Sequence, residues 1–181
     1  MAVINASRPA SEILYFASCL EQAWFPRILI PSDDLSLQAA ALELLEHHFL
    51  IIRHDVTDTF TIPPQIRQFI RQYLQVNSLV STYMRHALQM LSHVFPSRPE
   101  SSETLMLCEF SLPHALIVWE SYVENHIHQM FPSRDEHDLE KLCLGICRYL
   151  CTVGKYTDAQ TFAYKALQWR HQLYHPASPL P

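Results

Sequence analysis

Residues 137–176 read HDLEKLCLGICRYLCTVGKYTDAQTFAYKALQWRHQLYHP. Leu142, Ile146 and Leu150 recur at helical spacing before Gly154-Lys155-Tyr156, and Ala159, Phe162, Ala166 and Leu167 do so after it. The pattern predicts two antiparallel helices, about Asp138 to Val153 and Thr157 to Tyr174, turning at Gly154 and meeting through alternating small and large residues. The Pro-rich end from His175 to Pro181 reads as a loose tail.

Working outward, Pro132 to Glu136 is a polar loop, preceded by two predicted helices, Leu105 to Phe110 and Pro113 to Met130, separated at Pro113. Pro96-Ser97-Arg98-Pro99 with Glu100 to Ser102 has linker composition. Before it, Ser78 to Phe95 places Met84, Ala87, Leu88, Leu91 and Val94 on one side of a helix. The period differs further upstream. Phe49 to Arg53 and Thr59 to Ile62 are short β-prone runs around a turn at Asp55 to Asp58, which predicts a β-hairpin stopped by Pro63-Pro64. Helices flank it: Ile66, Phe69, Ile70, Tyr73 and Leu74 follow, while Leu37, Ala40, Ala41, Leu44 and Leu45 precede, with Ser32-Asp33-Asp34 as caps. A first helix carries Ile13, Leu14, Phe16, Ala17 and Leu20, begins near Pro9 or Ser11 with Ser11 as a cap, and ends before Pro26; Arg27 to Ile30 reads as a short turn closed by Pro31.

The fold class expected is mainly α: a winged-helix-like module with one small β-hairpin over 1–77, a helical connector over 78–136, and α-hairpins ending in the pair and tail over 137–181. Composition agrees with a folded, helical chain. Its 181 residues are 49% hydrophobic, and only 2 glycines accompany 12 prolines, fewer glycines than sheet-rich folds usually need. Thirteen basic against 18 acidic residues leave a net charge of −5, which favours neither nucleic acid nor an anionic membrane. The longest apolar runs, such as Phe49 to Ile52 and Ala115 to Trp119, are far shorter than a spanning helix, and Ile13 to Leu20 is a poor secretory signal. An odd set of 5 cysteines suits reduced thiols, so the expected location is cytoplasmic.

The last helix pair resembles a tetratricopeptide repeat. In that family a glycine and an aromatic residue make the turn and alanines let the second helix approach, roles that Gly154, Tyr156, Ala159 and Ala166 fill; Cys143 and Cys147 stand in the usual first-helix tryptophan and glycine slots. The ordered segments ILYFASCLEQAWFPRILI, AALELLEHHFLIIRHDVTDTFTIPPQIRQFIRQYL, RHALQMLSHVFP, CEFSLPHALIVW and YLCTVGKYTDAQTFAYKALQWRHQLYHP together resemble NB-ARC/tetratricopeptide (kinesin-light-chain-like) proteins of the signalling ATPase class. The resemblance covers roughly residues 10–176, through His175-Pro176, and implies the winged-helix and first-repeat portion. Two departures are Ile62-Pro63-Pro64, where the winged-helix part usually has a histidine before its last helix, and an array of about one repeat. The nucleotide-binding module is missing: the two glycines, Gly145 and Gly154, form no phosphate loop. The resemblance therefore implies a truncated or remodelled relative, or a fragment of a longer gene product, that docks partners.

Other chemistry is weakly signalled. Cys143, Cys147 and Cys151 lie on successive turns, which puts the outer two about 12 Å apart along the axis, too far for one zinc ion, and predicts buried packing residues. His126, His128 and His137 converge only through loop geometry. Cys108 and His114 lack a nucleophile signature. No catalytic residue, cofactor or metal is expected. Arg67 and Arg71 share a helix face and raise DNA binding as an alternative, beside a small-molecule or metal-dependent enzyme. The large aromatics Trp24, Phe25, Trp119, Tyr122 and Trp169 read as core. The first-helix concave face implied by the repeat resemblance places Lys141, Leu144, Arg148 and Thr152 outward as candidate partner-binding residues, the two cations suited to an acidic peptide end or simply solvated. The expected function is a non-enzymatic scaffold binding other proteins or itself, with an apolar flank at Phe162, Leu167 and Trp169 in need of cover.

Overall fold

The computed structural model describes residues 7–20, 24–31, 34–124 and 134–174. Seven α-helices run through these residues: α1 (Arg8–Ser18), α2 (Leu35–His47), α3 (Pro64–Val76), α4 (Val80–Val94), α5 (Ser102–Glu124), α6 (Arg134–Thr152) and α7 (Tyr156–Tyr174). Three short strands, β1 (Phe25–Pro26), β2 (Ile52–His54) and β3 (Thr59–Thr61), form one antiparallel sheet in the order β1-β3-β2. The chain is mainly α with one small hairpin, as its periodicities predict.

Local chemistry accounts for the element ends. Ser7, not Ser11, caps α1, accepting from the Ala10 amide, and Ser11 Oγ instead donates to the Ser7 and Arg8 carbonyls. Asp34 caps α2 through the Ser36 and Leu37 amides. Pro64 opens α3 at a position where a missing N–H costs nothing. The far ends of α2, α3 and α6 share one device. A residue with positive φ follows each helix, Phe49 at 55°, Ser78 at 56° and Gly154 at 77°, and the next amide returns to the carbonyl five residues back: Leu50 to Leu45, Leu79 to Leu74 and Lys155 to Leu150. Only one of these three left-handed positions is a glycine.

The turn predicted at Arg27 to Ile30 is present as a 3-10 turn over Arg27–Leu29, preceded by a strand the sequence did not signal, β1, whose Phe25 pairs with Phe60 of β3. Two expectations need correction. The two helices predicted on either side of Pro113 are one continuous helix, α5. A proline inside a helix costs about 3 kcal/mol, but α5 is held on both sides of it by the buried stripe Cys108, Ser111, Ala115, Val118, Trp119 and Tyr122. The polar loop expected up to Glu136 ends earlier, because α6 starts at Arg134 and buries Asp135. The predicted helix beyond Glu124 and the tail from His175 lie outside the described residues.

A single cluster of buried apolar side chains runs from α1 to α7. Tyr15 of α1 stacks on Tyr73 of α3 at 5.5 Å and meets Tyr83 of α4 edge-on at 5.2 Å, so these three helices share an aromatic seam. Toward the other end, Phe95 meets Tyr149 of α6 edge-on, and Trp119 of α5 meets Phe162 of α7 at 4.8 Å. Gly145 lets α6 approach this close: a Cβ there would lie 3.0 Å from Phe95 Cδ1 and 3.3 Å from the Pro96 carbonyl oxygen.

Candidate protein-interaction surfaces

α6 is flanked by α4, α5 and α7, so its remaining face is a narrow stripe. His137, Leu144, Arg148, Cys151 and Thr152 are exposed along it and Lys141 is half-buried. The four sequence-derived candidates therefore share the outward face of one helix, about 17 Å from Lys141 to Thr152 at 1.5 Å per residue. Their chemistry differs. Leu144 is 55% exposed, an apolar side chain with no cover. Arg148 Nη1 donates to the Ser97 carbonyl at 3.0 Å, tying the inter-helix segment onto α6. Thr152 Oγ1 donates to the Arg148 carbonyl one turn back. Lys141 lines a cleft of about 450 Å³ with His93, His137 and Asp138, and Asp138 accepts from Ser92 Oγ at 2.8 Å.

The three-cysteine stripe is not uniformly buried, contrary to expectation: Cys143 is buried, Cys147 half-buried and Cys151 exposed. The stripe crosses from the packed side of α6 to its open side because residues four apart advance about 40° around a helix. Burial pushes the Cys143 thiol up to about 12 and those of Cys19 and Cys108 up to about 11. Burial also raises the Cys147 thiol, with the neighbouring Cys151 adding to the effect. No group of three or more metal-ligating side chains converges among the described residues; His126 and His128 lie outside them. His114 is fully buried, with Trp24 edge-on at 5.1 Å.

Arg67 is buried and Arg71 exposed, and both reach the end of α1. Arg67 is 5% exposed and donates to the Leu20 carbonyl, and Arg71 donates to the Ser18 carbonyl at 2.8 Å and to that of Leu20 at 3.4 Å. These carbonyls close the C-terminal end of α1, where the helix dipole favours cations. The expected apolar flank of α7 is likewise redistributed. Phe162 and Trp169 are 6% exposed and covered, whereas Leu167 is 62% exposed beside Tyr164 at 56%.

Two features escaped the sequence reading. One is a buried polar node: Asp135, 1% exposed, accepts from Arg85 Nε of α4 at 2.7 Å and from the Tyr122 hydroxyl of α5. Burial and then this hydrogen bond raise the Tyr122 phenol. The other is a groove of about 490 Å³ between α1, α4 and the start of α2, floored by Ile13, Phe16, Leu37 and Met90 and edged by Glu12 and Asp34. Its lining runs from Pro9 to Met90, up to 81 residues apart, so only the fold brings these residues together.

Comparison with known proteins places one relative beside this chain. A nucleotide-binding leucine-rich repeat (NLR)-like protein of Hyaloscypha variabilis is 27% identical over 168 residues, 91% of this chain and 16% of that protein. The chain thus spans about a sixth of that relative's length. No protein-family model and no solved structure matches the chain. No helix among the described residues is long and apolar enough to cross a membrane. The match supports a distant relationship to NLR-type, NB-ARC-related proteins.

Proposed function

We propose that this chain is a non-enzymatic docking module of an NLR-related signalling protein, which binds other proteins or a second copy of itself in the cytoplasm. The observation that carries this reading is the extent of the match: 27% identity spread over 91% of the chain relates the whole arrangement, not one motif, to an NLR-like protein. Within that reading, α1, β1, α2, the β2–β3 hairpin and α3, with β1 pairing to β3, are the winged-helix-like part, and α4 and α5 are the connector. The α6–α7 pair, turning at Gly154 with Ala159 buried and Ala166 packed on the core, is the tetratricopeptide-like part. Binding is favoured over catalysis because the buried thiols are pushed away from the reactive thiolate form. The alternative of DNA binding loses its two best side chains to the end of α1.

Docking through the outward face of α6 is testable by quantitative capture from lysate with the wild-type chain and with K141E/L144E, which leaves the Arg148–Ser97 bond intact. The reading expects at least one protein, or the chain itself by light scattering, to be retained by the wild type and reduced fivefold or more by the variant. Identical retained proteins and an unchanged monomer mass in both would overturn it.

A further inference from the structure

We propose that the groove between α1, α4 and the start of α2 is a second docking site, for a segment of a partner protein that presents an apolar side chain flanked by lysine or arginine. It rests on the docking reading above; its lining includes none of the four α6 candidates, although Gln89 and Met90 also border the cleft beside Lys141. The floor is apolar, from Ile13, Phe16, Leu37 and Met90, while Glu12 and Asp34 stand at its edges. Among the described residues lining it there is no lysine or arginine, so the local charge is negative. The Asp34 carboxylate accepts from the Ser36 amide at 2.8 Å and from the Ser36 hydroxyl at 2.7 Å, bonds that hold it in its ionised form. Glu12 pairs with Arg8 at 2.8 Å, but Arg8 is 89% exposed and water screens such a surface pair, so an incoming cation can replace it.

Leu37 is 56% exposed within the groove, so the apolar lining reaches an open rim at the beginning of α2. An extended apolar rim beside a cleft suits a peptide, which covers both, better than a small molecule confined to the cleft. The negative edge selects the sign of that peptide. An apolar anchor supplies affinity and the flanking cations supply orientation and on-rate.

The test is fluorescence anisotropy on the full chain with two labelled peptides, one with leucines at i, i+4 spacing flanked by lysines and its twin with glutamates in place of lysines. The lysine peptide is expected to bind at least tenfold more tightly than its twin, to weaken with added salt, and to lose at least fivefold in affinity with E12K or L37E. Leu37 is already exposed, so L37E keeps the fold, checked by circular dichroism. Equal affinity for the two peptides, no binding of either, or affinity unchanged in both variants overturns the proposal. Self-association of the wild type that L37E abolishes overturns it too, because the occupant is then a second copy. L144E, on α6 and in the lining of neither cleft, is expected to leave peptide affinity unchanged, which separates failure of this groove from failure of docking at α6.

Discussion

The first and last helices carry the same kind of amphipathic pattern and end in opposite situations. α1 is 11 residues long and buries seven of them: Ala10, Ser11, Ile13, Leu14, Phe16, Ala17 and Ser18. α7 is 19 residues long, and among its described side chains those buried are Ala159, Phe162 and Trp169. α1 packs on α2, α3 and α4, whereas α7 lies chiefly against α6, with Trp119 and Glu120 of α5 reaching across to Phe162 and Lys165. Helical periodicity therefore reports a stripe but not how many neighbours will cover it. The difference assigns roles: α1 is held from several sides, down to the arginines on its last carbonyls, while α7 leaves Tyr156, Tyr164 and Leu167 in contact with solvent.

Several substitutions break or sharpen this contrast. The largest expected effect is in α1, where Leu14→Ala leaves a void at a fully buried position and costs about 4 kcal/mol, read from urea unfolding. In α7 the same kind of truncation splits by face: Phe162→Ala costs about 3 kcal/mol and Leu167→Ala less than about 0.5 kcal/mol. Equal losses at Leu167 and Phe162 would show that a neighbour covers the outer face of α7. Between the two ends, Asp135→Ala removes the partner shared by Tyr122 and Arg85 at the node joining α4, α5 and α6; with Arg85 28% exposed, the loss sits at the lower end of that for a buried pair, about 3 kcal/mol.

Smaller effects separate the three left-handed helix ends. Phe49→Gly and Ser78→Gly stabilise by about 0.5–1 kcal/mol, and Gly154→Ala destabilises by about 1 kcal/mol, all in thermal unfolding. Phe49 is also 83% exposed, so its removal forfeits no packing. The smallest effect concerns the α2 cap. Hydrogen bonds from Ser36 and then Leu37 hold the Asp34 pKa below its usual value, so its contribution is present above the unfolded carboxylate pKa and is lost as pH falls through the folded one. Asp34→Asn keeps a capping oxygen and removes that acid-side dependence, visible as a flatter melting temperature between pH 5 and pH 2, a range of about the carboxylate region.

Much of the fold is legible because caps, turns and periodicity are local. The hairpin follows from β-branched runs around Asp55 to Asp58, and the α6–α7 turn from Gly154. Pro113 misleads because its penalty is local while the packing that outweighs it comes from α4, α6 and β1. Phe25 and Pro26 carry no strand signal alone; they become β1 because Phe60 lies opposite. For the candidate surface, helical spacing correctly groups Lys141, Leu144, Arg148 and Thr152, but it cannot show that Ser97 already holds Arg148.

The sequence by itself determined the helical class, the hairpin and the common face of those four residues, since each depends on neighbours within a few positions. Tertiary structure alone decided that Arg67 and Arg71 close α1, that Asp135 joins three helices, and that Glu12, Asp34 and Met90 border one groove. The reason is physical. A side chain's charge and periodicity are written locally, but its burial and its partners depend on which distant segments the packed core brings against it.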